Sequence, residues 1–380
     1  MITSPVSSYD EWTSLEEVIV GTPYHLDYHA DESFRLFFYD NVNDQMPPRP
    51  DISDPQPYRG HTSEQIPRMP DSTVFRGKPS DRLKEECTED LEGFIKVLTE
   101  ANITVRTPDT LTTVPTVQTP WWSAPMGHAM MPRDRFLIAG EEIIETPPLV
   151  RARYFEADLF KELFTDYFKA GAKWTVVPPS RLLDRNLDYS YVVQRGYEGP
   201  VPENPFYEIM FDGAQCMRLG RDIVFNVSTE NHRMGATWLA RHLGDEFNVH
   251  VISVTDNHLD SMVLPLRAGT LLVRESLDIS KLPKGLQSWD TIRYRRLDTP
   301  TEIVEDGIPT LASQSINVNV LSLDGDRIVV QDIEEPLIRD LEKAGFTPIP
   351  TRWRHGRSLG GGFHCVTLDI RRAGGLESYL

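Results

Sequence analysis

Cysteine is scarce in this chain: Cys87, Cys216 and Cys365 are the only three among 380 residues. Three thiols cannot build a disulfide framework, and they fit a reducing cytoplasm. Basic residues are also few. Thirty-nine Lys and Arg face 57 Asp and Glu, a formal charge of −18. Nucleic acid and anionic membrane surfaces both require a basic face, so neither partner is expected. Long apolar runs are missing. Those present, such as 262–266, are strand-sized, well short of the ~18 residues of a membrane helix. The start, MITSPVSSYDEW, has neither the basic nor the apolar region of a secretory signal. No CxxC, HExxH or zinc-spaced Cys/His cluster occurs, so no metal is expected. GxGxxG after a strand and GxxxxGK(S/T) are absent too, and no nucleotide cofactor is expected.

There is enough apolar material for a core, at 39% of the residues, which excludes disorder for most of the chain. One plan recurs: apolar strand, amphipathic helix, apolar strand, then Pro or a polar turn. A strand at 16–21 is followed, after a long insertion, by a helix over 81–99. Its apolar positions Leu83, Cys87, Leu91, Phe94, Ile95 and Leu98 share one face. A strand at 103–106 then stops at Pro108. The plan returns with strands in 135–144, a helix over 154–170 and a strand at 174–177. It returns again with a strand at 222–227, a helix over 230–243 and a strand at 249–254. Near the end come a strand at 327–331, a helix over 336–344 and a strand at 347–349, stopped by Pro350. A weaker unit spans 270–295, with only LPKGLQSW where a helix belongs. This alternation predicts an α/β fold. No inter-domain linker is evident, so one domain over 1–380 is expected, with a Pro-rich loop insertion near 44–76.

Several residues could carry chemistry. Cys365 ends SLGGGFHC (358–365), where three glycines leave room for a ligand against the backbone. By itself it reads either as a nucleophile or as a buried structural thiol. Cys87 reads as core, and Cys216 leans the same way. His258 in DNHLD follows an apolar strand, and Asp260, two residues on, would share its side. Adjacent His364 would point away from Cys365 on a strand, which suggests packing. His242 and His355 read as structural. Asp212 in MFDGAQ and Asp134 in MPRD sit at strand edges, where turn capping is the plain alternative. Thiol, imidazole and carboxylates together suit a guanidinium, whose N–H edges pair with carboxylates.

Ordered blocks carry a resemblance. They include YDEWTSLEEVIVG (9–21), MPRDRFLIAGEEIIETP (131–147), RARYFE (151–156), FDGAQCMRLGRDI (211–223), HLDSMVLPLRAG (258–269) and SLGGGFHCVTLDIRRAGGLESY (358–379). The chain resembles the amidinotransferase family, of the glycine and inosamine-phosphate type, in the pentein superfamily. The resemblance implies a pseudo-fivefold α/β propeller of ββαβ modules around a central active-site channel. It implies transfer of the amidino group of L-arginine to a small amine acceptor, without cofactor, in secondary metabolism, by a homodimer; a guanidino-modifying hydrolase of the arginine deiminase kind and a non-catalytic guanidino-compound binder are the alternatives on the same fold. It assigns Cys365 as nucleophile, His258 as acid/base and Asp212 as its carboxylate partner. Asp134 and Asp260 would grip the guanidinium. Arg153 would meet a substrate carboxylate or phosphate, and Ser313 would line the site. An imidazolium beside Cys365 is expected to lower its thiol pKa. The family's FDAAD reads FDGAQ here, with Gln215 at the second acidic position. Its downstream arginine is replaced by Leu277, with Arg274 close by. Polar Thr255 and Asn257 stand where the family varies with the acceptor.

Overall fold

The computed structural model describes residues 4–22, 80–111, 115–126, 129–186, 188, 190, 203–255, 258–294 and 316–380. Within them one three-stranded plan is built five times. Its first strand pairs antiparallel with the second, and its third lies parallel to the second. One sheet joins β1 (Leu15–Val20), β2 (Thr104–Arg106) and, from the far end of the chain, β17 (Thr367–Arg372). A two-stranded sheet, β3 (Thr116–Gln118) and β4 (Ser123–Pro125), stands apart. The others are β5–β7 (Phe136–Ala139, Glu142–Glu145, Lys173–Val176), β8–β10 (Cys216–Leu219, Asp222–Asn226, Asn248–Ile252), β11–β13 (Val263–Arg267, Thr270–Arg274, Asp290–Tyr294) and β14–β16 (Leu321–Ser322, Arg327–Gln331, Thr347–Thr351).

The local reasons repeat as well. The hairpins β5–β6 and β8–β9 have two-residue turns led by Gly140 at φ +61° and Gly220 at φ +68°, conformations that cost a side chain and favour glycine. FLIA, CMRL and TLLVR are buried on both faces or nearly so, whereas the third strands KWTV and NVHVI are half exposed. The hairpins therefore lie inside and the parallel strands outside. Helices supply the crossovers: α1 (Asp81–Glu100), α2 (Lys161–Lys169), α3 (Glu230–Leu243) and α4 (Glu335–Lys343). Ser80 caps α1 through the Leu83 N–H at 3.1 Å, and Leu83, Cys87, Leu91, Phe94 and Leu98 are its buried face. Burial pushes the Cys87 thiol up to about 12, in keeping with a core residue. Between β12 and β13 the crossover is two short turns, Ile279–Lys281 and Leu286–Ser288, as the weak LPKGLQSW pattern predicts. No helix among the described residues is long and apolar enough to cross a membrane.

Two of the boundaries that differ from expectation have a visible cause. The helix expected over 154–170 begins at Lys161, because Glu156, in the preceding 3-10 turn, is drawn inward onto Arg153. The strand expected to stop at Pro350 runs on to Thr351. It is an edge strand, and Pro348 and Pro350, two apart, both turn their ring nitrogens away from β15. The 44–76 insertion lies outside the described residues.

Candidate active site

The first strand of each repeated sheet starts just after a tight turn, and those turns carry the polar side chains. Pro132–Arg135 precedes β5 and holds Asp134. Asp212 opens the turn Gly213–Gln215 before β8. His258 opens Leu259–Ser261, which holds Asp260, before β11. Ile316–Val318, then Asn319, precede β14. His364 and Cys365 precede β17. Equivalent positions in five sheets thus converge on one place, and all these side chains are buried there.

The His258 ring bridges two carboxylates. Its Nε2 is 2.9 Å from Asp212 Oδ2 and its Nδ1 is 3.4 Å from Asp134 Oδ1. Burial disfavours the charged ring, but the Asp134 charge and the Asp212 hydrogen bond outweigh it and lift its pKa to about 9. Burial likewise lifts Asp134 to about 6, against the pull of His258 and Arg153. Cys365 Sγ donates to Asp260 Oδ2 at 3.3 Å, and its backbone N–H donates to Asn319 Oδ1 at 2.9 Å. Ligand-type atoms of Asp134, His258 and Cys365 lie within 4.8 Å of one another. Thiol, imidazole and carboxylate are donors that zinc accepts, and this is the one such group among the described residues. They are equally what a guanidinium requires: anionic oxygens for its N–H edges and a sulfur facing its carbon. Asp134 Oδ1 and Asp260 Oδ1 are buried and accept no hydrogen bond; Asp134 Oδ1 faces the His258 ring, and Asp260 Oδ1 stands available.

One electrostatic expectation is reversed. The Cys365 thiol is held well above its ordinary range, by burial first and then by the charges of Asp260 and Asp134; Arg133 opposes them. Two turns place acids beside the sulfur, and together with burial they outweigh the Arg133 charge. The place given to Arg153 also differs. Its guanidinium donates to Asp134 Oδ2 at 2.6 Å, to both oxygens of Glu156 and to the Met131 carbonyl at 3.0 Å. That is a brace for Asp134, unlike an open receptor for a substrate anion. Space beside the glycines is used internally: a Cβ on Gly361 would stand 2.5 Å from Cys365 Cβ, and one on Gly362 would stand 2.6 Å from the Asn319 carbonyl. Ser313 and Asn257 lie outside the described residues.

Gln215 has a clear part in place of the family's acid. Its Oε1 accepts the Asp212 N–H at 2.9 Å and its Nε2 donates to the Asn226 carbonyl at 2.8 Å. Asp212 returns a bond to the turn, completing a reciprocal cap. Leu277 packs in the core, and the Arg274 guanidinium stands 3.9 Å from Met262 Sδ. Cys216 is buried, and burial pushes its thiol up. His242 and His355 pair with Glu142 and Glu86, away from the sulfur.

Asn319 and His364 escape the sequence reading. Asn319 is legible only once its turn is seen to be equivalent to the other four. His364 was expected to point away from Cys365, but 363–366 is a turn and the strand begins at Thr367. Both side chains therefore reach Asp260 Oδ2, His364 through Nδ1 at 2.8 Å. Behind them Glu11, Arg133, Arg218, Asp369 and Arg372 form a buried ionic hub.

Scanning against protein-family models gives no match. The chain is 34% identical to L-arginine:L-lysine amidinotransferase of Pseudomonas savastanoi pv. phaseolicola, covering 100% of this chain and 97% of that one. The solved inosamine-phosphate amidinotransferase of Streptomyces griseus superposes with a TM-score of 0.81 at 34% identity, over 99% of each chain. The N-terminal domain of a cyanobacterial arginine dihydrolase shares the fold alone, with a TM-score of 0.55 at 15% identity, over 94% of this chain and 98% of that one.

Proposed function

Because this chain belongs to the amidinotransferase family, we propose that it takes the amidino group of L-arginine onto Cys365 and delivers it to a small amine, releasing L-ornithine. The convergence of Cys365, His258 and three carboxylates from four turns carries this reading.

The guanidinium enters between Asp134, Asp212 and Asp260. Its positive charge offsets the acids that hold the thiol up, so the sulfur ionises when the donor is in place. Sulfur then attacks the central carbon. His258, charged at neutral pH, gives its proton to the departing amine of ornithine. The thiol proton passes to solvent as the sulfur ionises, the amine leaves with the proton from His258, and His258 is left neutral, so the half-reaction releases one proton. The product is a cationic amidino-thioether, which the carboxylates stabilise. The acceptor amine then attacks that carbon, gives a proton to neutral His258, and frees the sulfur. Asp212 holds the ring in position, as in other triads.

The same reading takes the chain as one domain, its five sheets set in a pseudo-fivefold ring around the site. It places the enzyme in the cytoplasm, as a homodimer in secondary metabolism. The relatives' names point to an amino acid or an aminocyclitol phosphate as acceptor.

The test is labelled L-arginine with a panel of amines, including L-lysine, glycine and an inosamine phosphate. Ornithine formed only when an amine is present, and lost in Cys365→Ala, supports transfer. Citrulline formed without any amine marks a hydrolase instead. Ornithine release that survives Cys365→Ala rules out the covalent step.

A further inference from the structure

Two histidine–carboxylate chains meet at the sulfur, and the mechanism above uses only one. His258 lies between Asp212 and Asp134. His364 lies between Asp260 and Glu11, with Nδ1 2.8 Å from Asp260 Oδ2 and Nε2 3.2 Å from Glu11 Oε2. Both ring nitrogens face acceptor-only oxygens, so both must donate for the two bonds to coexist. The residue is also gripped through its backbone, where Arg133 Nε donates to the His364 carbonyl at 2.7 Å. Glu11 is fixed in turn by Arg218 Nε at 2.8 Å and Arg133 Nη1 at 3.2 Å. The ring therefore has one orientation. It commits Asp260 Oδ2, the acceptor of the Cys365 thiol at 3.3 Å, and leaves Oδ1 buried without a partner.

We propose that His364 is a positioning residue, which acts through Asp260 by fixing one carboxylate oxygen at the sulfur and leaving the other for the donor guanidinium. The proposal rests on the donor-site reading above. Its physical basis is that a buried carboxylate must be paired to stay charged. Burial pushes Asp260 up, and the His364 hydrogen bond and charge are the first forces holding it down, ahead of the charges of His258 and Arg133. Without His364 the Asp260 carboxyl loses the foremost forces holding its pKa down, and its charged form is disfavoured. The donor then loses an anionic partner. The thiol loses the nearest charge that holds it up, leaving Asp134 against Arg133.

These effects have opposite signs, which a merely structural role would not produce. In His364→Leu, L-arginine binding by calorimetry should weaken at least about tenfold. The pH midpoint of Cys365 alkylation by iodoacetamide without arginine, followed by peptide mass, should move to lower pH. Asp260→Asn should move the alkylation midpoint the same way, and the double variant should move it no further. His364→Asn, which keeps an N–H donor near Asp260, should recover most of both properties and stands in should the leucine variant fail to fold. An unmoved or upward-moved alkylation midpoint in the folded leucine variant overturns the proposal, and so does an asparagine variant no better than leucine. The alkylation arm uses neither donor nor turnover, so it stands even if arginine is not the substrate.

Discussion

At the residue scale, charge state is what distinguishes this site. His258 titrates near 9 because the Asp134 charge and the Asp212 bond overcome its burial. Histidine-selective NMR should therefore show that ring titrating near 9, well above its ordinary 6.5, and Asp134→Asn should bring it down. A ring unmoved by that change would mean Asp134 does not govern it. The sign for stability follows. A raised pKa contributes stability fully below the unfolded value of about 6.5, and the contribution is lost as pH rises through about 9. Thermal midpoints should fall across that window. Gln215 offers a second case. Gln215→Ala leaves the Asp212 N–H and the Asn226 carbonyl without their partners. Each buried group so abandoned costs about 1–3 kcal/mol, which urea unfolding should register, and ornithine release should slow as Asp212 loosens.

At the element scale, two glycines make opposite predictions. Gly361 lies against the sulfur, where a Cβ would meet Cys365 Cβ at 2.5 Å and Sγ at 3.0 Å. Gly361→Ala must push Cys365 aside, and a displacement of that order lowers turnover about a hundredfold. Gly93 sits in α1 with nothing within 4 Å of a Cβ. Gly93→Ala should stabilise the protein by about 0.5–1 kcal/mol through backbone entropy, read as a raised melting temperature with turnover unchanged. The helices and inner strands were legible from periodicity and apolar runs: α3 spans Glu230–Leu243 and β15 spans Arg327–Gln331, as expected. The misses were tertiary in origin. The start of α2 yields to the Arg153–Glu156 pair, and β16 carries two prolines because it is an edge.

At the scale of the whole molecule, the N-terminal segment ties the sheets together. Ser8 bridges Gly140, Asp10 bridges Leu219, and Glu11 enters the hub of Arg133, Arg218 and Asp369. Burial opposes the charges of Glu11 and Asp369, yet the arginines hold both carboxyls below their ordinary range. Their stabilisation is present above about pH 4 and is lost as pH falls through the depressed values. Glu11→Gln leaves buried arginine charge uncompensated, which should cost about 3–5 kcal/mol. It should also flatten the acid limb of the stability profile. A variant as stable as the parent in urea at pH 7 would refute the hub's role.

The amino-acid sequence alone determined the parts: the apolar strands, the glycine turns, the buried face of α1, and the blocks that carry Cys365, His258, Asp212, Asp134 and Asp260. Only the folded arrangement decided what those groups are charged with and whom they touch. Asn319, His364 and Glu11 join the site from turns and a segment far apart in the chain, and no local pattern announces them. The thiol is held well above its ordinary range, against the expectation from its neighbouring imidazole, because burial and then the charges of Asp260 and Asp134 sum at the sulfur. That sum exists only after distant turns have met.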